Sequence, residues 1–173
     1  MPEGNYVVAT RTPQPPPTLL KRATEPETSE GMRADYPADV LDATQGGPNT
    51  VIVLGLWAQV TAEPLEMFQS RLYAIRGAIR RLMRRSPSTR VFMRTGTTRA
   101  HKKGKMEYYL LASDWLAYLI TEVIREMFRA DPDVVVLDTW DMSVCQPGKD
   151  NVHPDQTIVD SQLNRLLSHA CPN

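Results

Sequence analysis

The chain has 173 residues, 42% of them hydrophobic and 23% charged, with 20 basic and 20 acidic side chains and a formal net charge of zero. That balance fits one folded domain around one core and excludes a fibrous or wholly disordered protein. It also gives no bulk attraction for nucleic acid or an anionic membrane, and two cysteines, Cys145 and Cys171, are too few for a thiolate zinc site or a disulfide framework.

The charge is unevenly spread. Twelve Arg and Lys residues and no acid lie between Arg71 and Met106, whereas seven aspartates and only Lys149 lie between Asp131 and Asp160. No RNP or zinc-finger pattern accompanies the basic run, so a nucleic-acid partner is not expected. No apolar run reaches the roughly 18 residues of a membrane span, and the N-terminus lacks the basic start and apolar middle of a signal peptide.

Residues 1–45 hold seven of the fourteen prolines, including the run PQPPP at 13–17, and only scattered apolar side chains. Such a segment buries too little to offset its ordering entropy and is expected to be disordered or loosely attached. The folded domain is expected over 46–173. It opens with NTVIVLGLW, a continuous apolar run that suits a strand covered on both faces. Pro64 then starts a helix whose Leu65, Phe68, Leu72, Ile75, Ile79 and Leu82 form one stripe, ending at the Ser-Pro of 86–87. TRVFMRT at 89–95 predicts a second strand. After the polar loop GTTRAHKKGK, the residues Trp115, Leu116, Leu119, Ile120, Val123, Met127 and Phe128 predict a second amphipathic helix. DVVVLDTW predicts a third strand, and a last helix is expected from about Pro154, with Val159, Leu163, Leu166 and Leu167 on one side. Strands separated by helices of this length predict an α/β fold with a mostly parallel sheet built from crossover units. Three strands make a narrow sheet, which suggests that a strand is missing.

In an open parallel sheet, sites form beyond the carboxyl ends of the strands. The segment KDNVHPDQ after the third strand therefore has the right location. His153 precedes Pro154 and is held extended near the start of the last helix, where the helix dipole favours a neutral imidazole. Asp150, three residues earlier, could accept from the other ring nitrogen and stabilise the charge that develops as His153 takes a proton. The plain alternative is that Asp150 or Asn151 caps the turn before the helix and His153 is a partly exposed residue at the helix start. His101, His153 and His169 lie in separate segments without ligand spacing, so no metal is expected. The Arg residues of the first helix read as a solvated face. By contrast, Arg99, Lys102, Lys103 and Lys105 come after the second strand on the predicted active side and could attract an anion.

The segment VVVLDTWDMSVCQPGKDNVHPDQTIVDSQLNRLLSHAC resembles the end of the neurexophilin and PC-esterase domain family, usually shortened to NXPE. TVIVLGLW and AIRRLMRRSPSTRVFMRT are similar to the preceding strand, helix and strand of that domain, so the resemblance spans about residues 36–171. It implies a three-layer fold of SGNH or flavodoxin type, incomplete here because the first strand with its nucleophile is absent. It also implies an esterase or O-acyltransferase that acts without a cofactor on acyl esters of glycans or glycoproteins, in the secretory pathway or outside cells. His153 would be the general base and Asp150 its orienting acid. The Gly-Asp-Ser of this class occurs nowhere in the chain, so the chain alone is expected to be inactive; a non-catalytic binding domain is the alternative. Gly55 and Gln59 are the candidate oxyanion donors, with Leu56 and Trp57 standing where polar side chains are usual. Trp57, Arg99, Lys102 and Trp140 are candidate substrate contacts.

Overall fold

The computed structural model describes residues 5–10 by their backbone, and 36–58, 60–98, 106, 110, 113–146, 148 and 153–170 in full. Its elements in chain order are β1 (Asn5–Thr10), α1 (Pro37–Ala43), β2 (Thr50–Gly55), α2 (Leu65–Arg85), β3 (Arg90–Arg94), α3 (Asp114–Phe128), β4 (Val135–Leu137), α4 (Trp140–Cys145) and α5 (Gln156–Ala170). The four strands form one sheet in the order β1-β2-β3-β4. β2, β3 and β4 are parallel, with Ile52 beside Val91 and Phe92 beside Val135. The α/β class and the parallel crossovers expected from the sequence are therefore present.

Two elements fall within the segment read as loosely attached. β1 pairs antiparallel with β2, from Asn5 beside Gly55 to Thr10 beside Thr50. One edge of β2 is thus occupied, because the short run NYVVAT has the β-branched and aromatic content of a strand although the adjoining residues are rich in proline. α1 starts with Pro37 in its first turn, where a missing N–H costs nothing, and buries Leu41.

Side-chain alternation gives the sheet two faces. Ile52, Leu54, Val91 and Met93 point to one side and form a continuous core with Leu41 of α1, Phe68, Leu72, Ile79 and Leu82 of α2, and Ala117, Ile120, Ile124 and Phe128 of α3. Phe92 and Leu137 point to the other and pack with Ala170 and Leu166 of α5, with Val51, Val53 and Val135 partly covered.

The helix faces agree with this arrangement, with two differences from the sequence expectation. α3 turns Ala117, Ile120, Thr121, Ile124 and Phe128 inward and leaves Trp115 65% exposed. The rotation is explained by Thr121, whose hydroxyl accepts the Gly96 N–H at 3.1 Å in the interior. α5 likewise buries Ile158 and Ala170, while Leu163 and Leu167 are 50% and 51% exposed. The third strand is also shorter than its apolar run. Asp138 accepts from the Trp140 N–H at 3.4 Å, and this local side-chain bond turns the chain into α4.

The basic face of α2 is not simply solvated. Arg81 forms a two-pronged pair with Asp42 of α1 at 2.9 and 2.7 Å, and Arg76 meets the buried Asp131 at 2.6 Å. The Arg85 guanidinium donates to the carbonyls of Leu41, Asp42 and Thr44, the unpartnered acceptors at the end of α1. On the second face Arg90 does the same for the Ala170 carbonyl of α5. The entry to β2 needs a glycine: Gly46 has φ +75°, and a Cβ there would collide with Thr89, whose hydroxyl accepts the Gly47 N–H at 2.9 Å.

Candidate active site

The carboxyl ends of β2, β3 and β4 meet in a rim made from Leu56 and Trp57, Thr95–Thr98, and Asp138–Ser143. The rim is closed by side-chain bonds to backbone. Thr95 Oγ1 accepts the Thr139 N–H at 2.9 Å, and Thr139 Oγ1 donates toward the carbonyls of Thr95 and Gly96 at 3.1 and 3.2 Å. Thr98 donates its N–H to Ser143 Oγ at 2.9 Å and its hydroxyl to the Ser143 carbonyl at 2.8 Å. Ser143 Oγ in turn donates to the Trp140 carbonyl at 2.8 Å, so this buried hydroxyl is committed to structure and is poorly placed to act as a nucleophile.

Asp138 is the electrostatic centre of the rim. Arg125 of α3 grips it through Nε at 2.7 Å and Nη2 at 2.9 Å, and Thr95 donates to it at 3.2 Å. Burial alone would raise the pKa of this carboxyl. The hydrogen bonds and charge of Arg125, with the Trp140 N–H and the Thr95 hydroxyl, outweigh burial and hold it below the ordinary carboxylate range. The same bond to Asp138 raises the pKa of Arg125 well above its usual value. Sequence reasoning did not single out Asp138, Arg125 or Thr95. The available signal was an aspartate closing a β-branched run, the usual place for a side chain that captures the next turn.

The site residues expected from the sequence are scattered between the rim, the core and the surface. His153 is exposed and lies three residues before α5. Asp155 makes the described cap, accepting the Thr157 N–H through its side chain at 3.0 Å and those of Ile158 and Val159 through its carbonyl. His153 therefore sits just outside the helix start, and Gly148 packs so closely on its carbonyl that a Cβ at 148 would collide with it. Gly55 is the last residue of β2, aligned with Asn5 on one side and Arg94 on the other, inside the ladder. Trp57 and Trp140 are 5% and 8% exposed. Trp57 packs over Gly96, and Trp140 lies 5.6 Å from the Tyr118 ring, so both act as core where the sequence offered them as substrate contacts. Asp150, Gln59, Arg99, Lys102, Lys103, Lys105 and Cys171 lie outside the described residues. Cys145 is a free, exposed thiol.

Two polar groups at the rim lack partners among the described residues. Thr97 is fully buried and its hydroxyl makes no hydrogen bond, and Arg94 Nε is likewise buried and unpaired. Burial without a carboxylate partner lowers the pKa of Arg94 from its usual value. Such orphans are uncommon in folded proteins and mark places where a ligand atom would be welcome. No group of three or more His, Cys, Asp or Glu side chains suited to a metal occurs among the described residues.

This chain order of strands, helices and rim can be compared with known families. The family model described as NXPE family member 4-like, C-terminal domain, matches residues 13–171. The chain belongs to the NXPE family. The match begins well before the boundary at residue 46 drawn from composition, and so takes in α1 with its Arg81 and Arg85 contacts. No helix among the described residues of this NXPE chain is long and apolar enough to cross a membrane.

Proposed function

We propose that this NXPE chain is the carboxyl-terminal, base-bearing part of an SGNH-type esterase or O-acyltransferase that acts on acyl esters of glycans in the secretory pathway or outside cells. The observation that carries the reading is the family match over residues 13–171; it is supported by a histidine that follows β4 and α4 in the chain, three residues before α5. In this reading His153 removes the proton from a serine hydroxyl, and Asp150 accepts from the other ring nitrogen to fix the tautomer and balance the imidazolium. The serine is not among these 173 residues, which contain no Gly-Asp-Ser, so the chain alone does not turn over.

The test joins this chain to a polypeptide that supplies a strand followed by Gly-Asp-Ser. Hydrolysis of 4-nitrophenyl acetate and of an O-acetylated oligosaccharide is then expected, with His153→Ala lowering kcat by about a hundredfold or more. Full activity in the His153→Ala protein would sink the proposal.

A second reading is a glycan-binding domain without turnover. It is favoured by Leu56 and Trp57, which fill the loop after β2 with buried apolar side chains where an oxyanion needs donors. In that case glycan affinity is unchanged by His153→Ala, and a fluorophosphonate probe labels nothing even in the joined protein.

A further inference from the structure

A cavity of about 330 Å³ lies between α1, the loop after β2 and α2. This is the small end of the roughly 300–1,000 Å³ range of small-molecule sites. At about 30 Å³ for each water-sized group, it holds roughly ten non-hydrogen atoms. Its floor is Leu56, Val60, Phe68 and Ile75, all buried and all apolar. A void lined in this way does not hold water well, and its walls lack packing partners, so an apolar occupant is favoured.

The mouth is polar and carries both signs. Asp39 and Tyr36, on the α1 side, are exposed, and Arg71 approaches from α2 with its side chain 34% exposed. Arg71 Nη1 meets Glu63 Oε1 at 3.1 Å, which leaves other N–H donors of the guanidinium for a ligand. Asp39 has no ion pair or side-chain hydrogen bond among the described residues, and it does not pair with Arg71. A fatty anion would be repelled by Asp39, and an alkylammonium by Arg71. A zwitterion with an apolar tail satisfies both and places its tail on the floor.

We infer that this cavity binds a free apolar α-amino acid of leucine or phenylalanine size, with its ammonium at Asp39, its carboxylate at Arg71 and its side chain against Phe68 and Ile75. The site borders the rim through Leu56 but does not depend on the ester chemistry proposed above.

Calorimetry and saturation-transfer NMR on the full chain test this, with L-leucine and L-phenylalanine as probes. The controls are 4-methylpentanoate, which lacks the ammonium, and 3-methylbutylamine, which lacks the carboxylate. At least one amino acid is expected to bind, with each control about tenfold weaker or worse, as the loss of one charge-assisted hydrogen bond implies. Asp39→Asn should bring leucine down to the level of 4-methylpentanoate without changing the circular dichroism melt. Ala74→Phe, at the cavity wall, should abolish binding in a protein that still melts cooperatively. The inference is overturned if neither amino acid binds at tens of millimolar, if either control binds as tightly, or if Ala74→Phe leaves binding intact. Arg71→Gln also breaks the Glu63 pair, so Asp39→Asn is the deciding variant.

Discussion

The two faces of the sheet are built to different standards. On one, three helices press Leu41, Phe68, Leu72, Ile79, Ile124 and Phe128 onto Ile52 and Met93 with almost no exposure. On the other, α5 is the one helix among the described residues that covers the strands, and Leu163 and Leu167 stay half exposed. Apolar burial is the main source of stability, so the first face carries the fold, and the second is held partly by directed polar contacts such as Arg90 to Ala170.

The sharpest way to expose this difference is a truncation on each face. Leu72→Ala on the first should cost about 2–5 kcal/mol, because the surrounding helices cannot collapse into the space. For a domain of this size each kcal/mol lowers Tm by roughly 2–4 °C, measurable by calorimetry. A Leu72→Ala protein as stable as wild type would erase the contrast.

A smaller effect is expected where the faces meet, at the rim. Asp138→Asn removes a charge-assisted pair that is partly exposed, so about 1–2 kcal/mol is expected at neutral pH. The sign of its pH dependence comes from the lowered pKa. The carboxylate stabilises the fold fully above the ordinary value near about 4, and this contribution is lost as pH falls below that value through the lower folded one. Urea melts should therefore show a constant gap between wild type and Asp138→Asn from about pH 5 to 8 that narrows below about pH 4. A gap that widens on acidification would contradict the charge assignment. The smallest effect belongs to the second face: Leu167→Ser should change stability by no more than about 0.5 kcal/mol, seen in the same melts.

Legibility in the sequence divides along similar lines. The stripe from Leu65 to Leu82 was readable because its apolar spacing matches its burial, and the runs at 50–55 and 90–94 because short unbroken apolar segments suit strands covered fully or partly on both faces. α3 was placed correctly along the chain, and Ile120 and Phe128 are buried as expected, but its buried face is rotated: Trp115 counts as apolar by composition and is exposed, while the interior takes Thr121 for its hydroxyl. β1 was hidden by its proline-rich neighbours, and α4 by the apolar run that it interrupts. The place of His153 shortly before the last helix could be read from the Pro154 that follows it. The bonds from Thr95 to Asp138, from Thr139 to Thr95 and from Thr98 to Ser143 could not, because each joins segments more than forty residues apart.

One consequence concerns the histidine itself. The carbonyl of His153 rests against a residue with no side chain, Gly148, so its location is set from behind by an empty space. A single methyl added there, by Gly148→Ala, should push the imidazole out of register without altering any titrating group. The ring-proton NMR shifts of residue 153 would report the movement, giving a chemist a lever on where this imidazole sits that leaves its chemical identity unchanged.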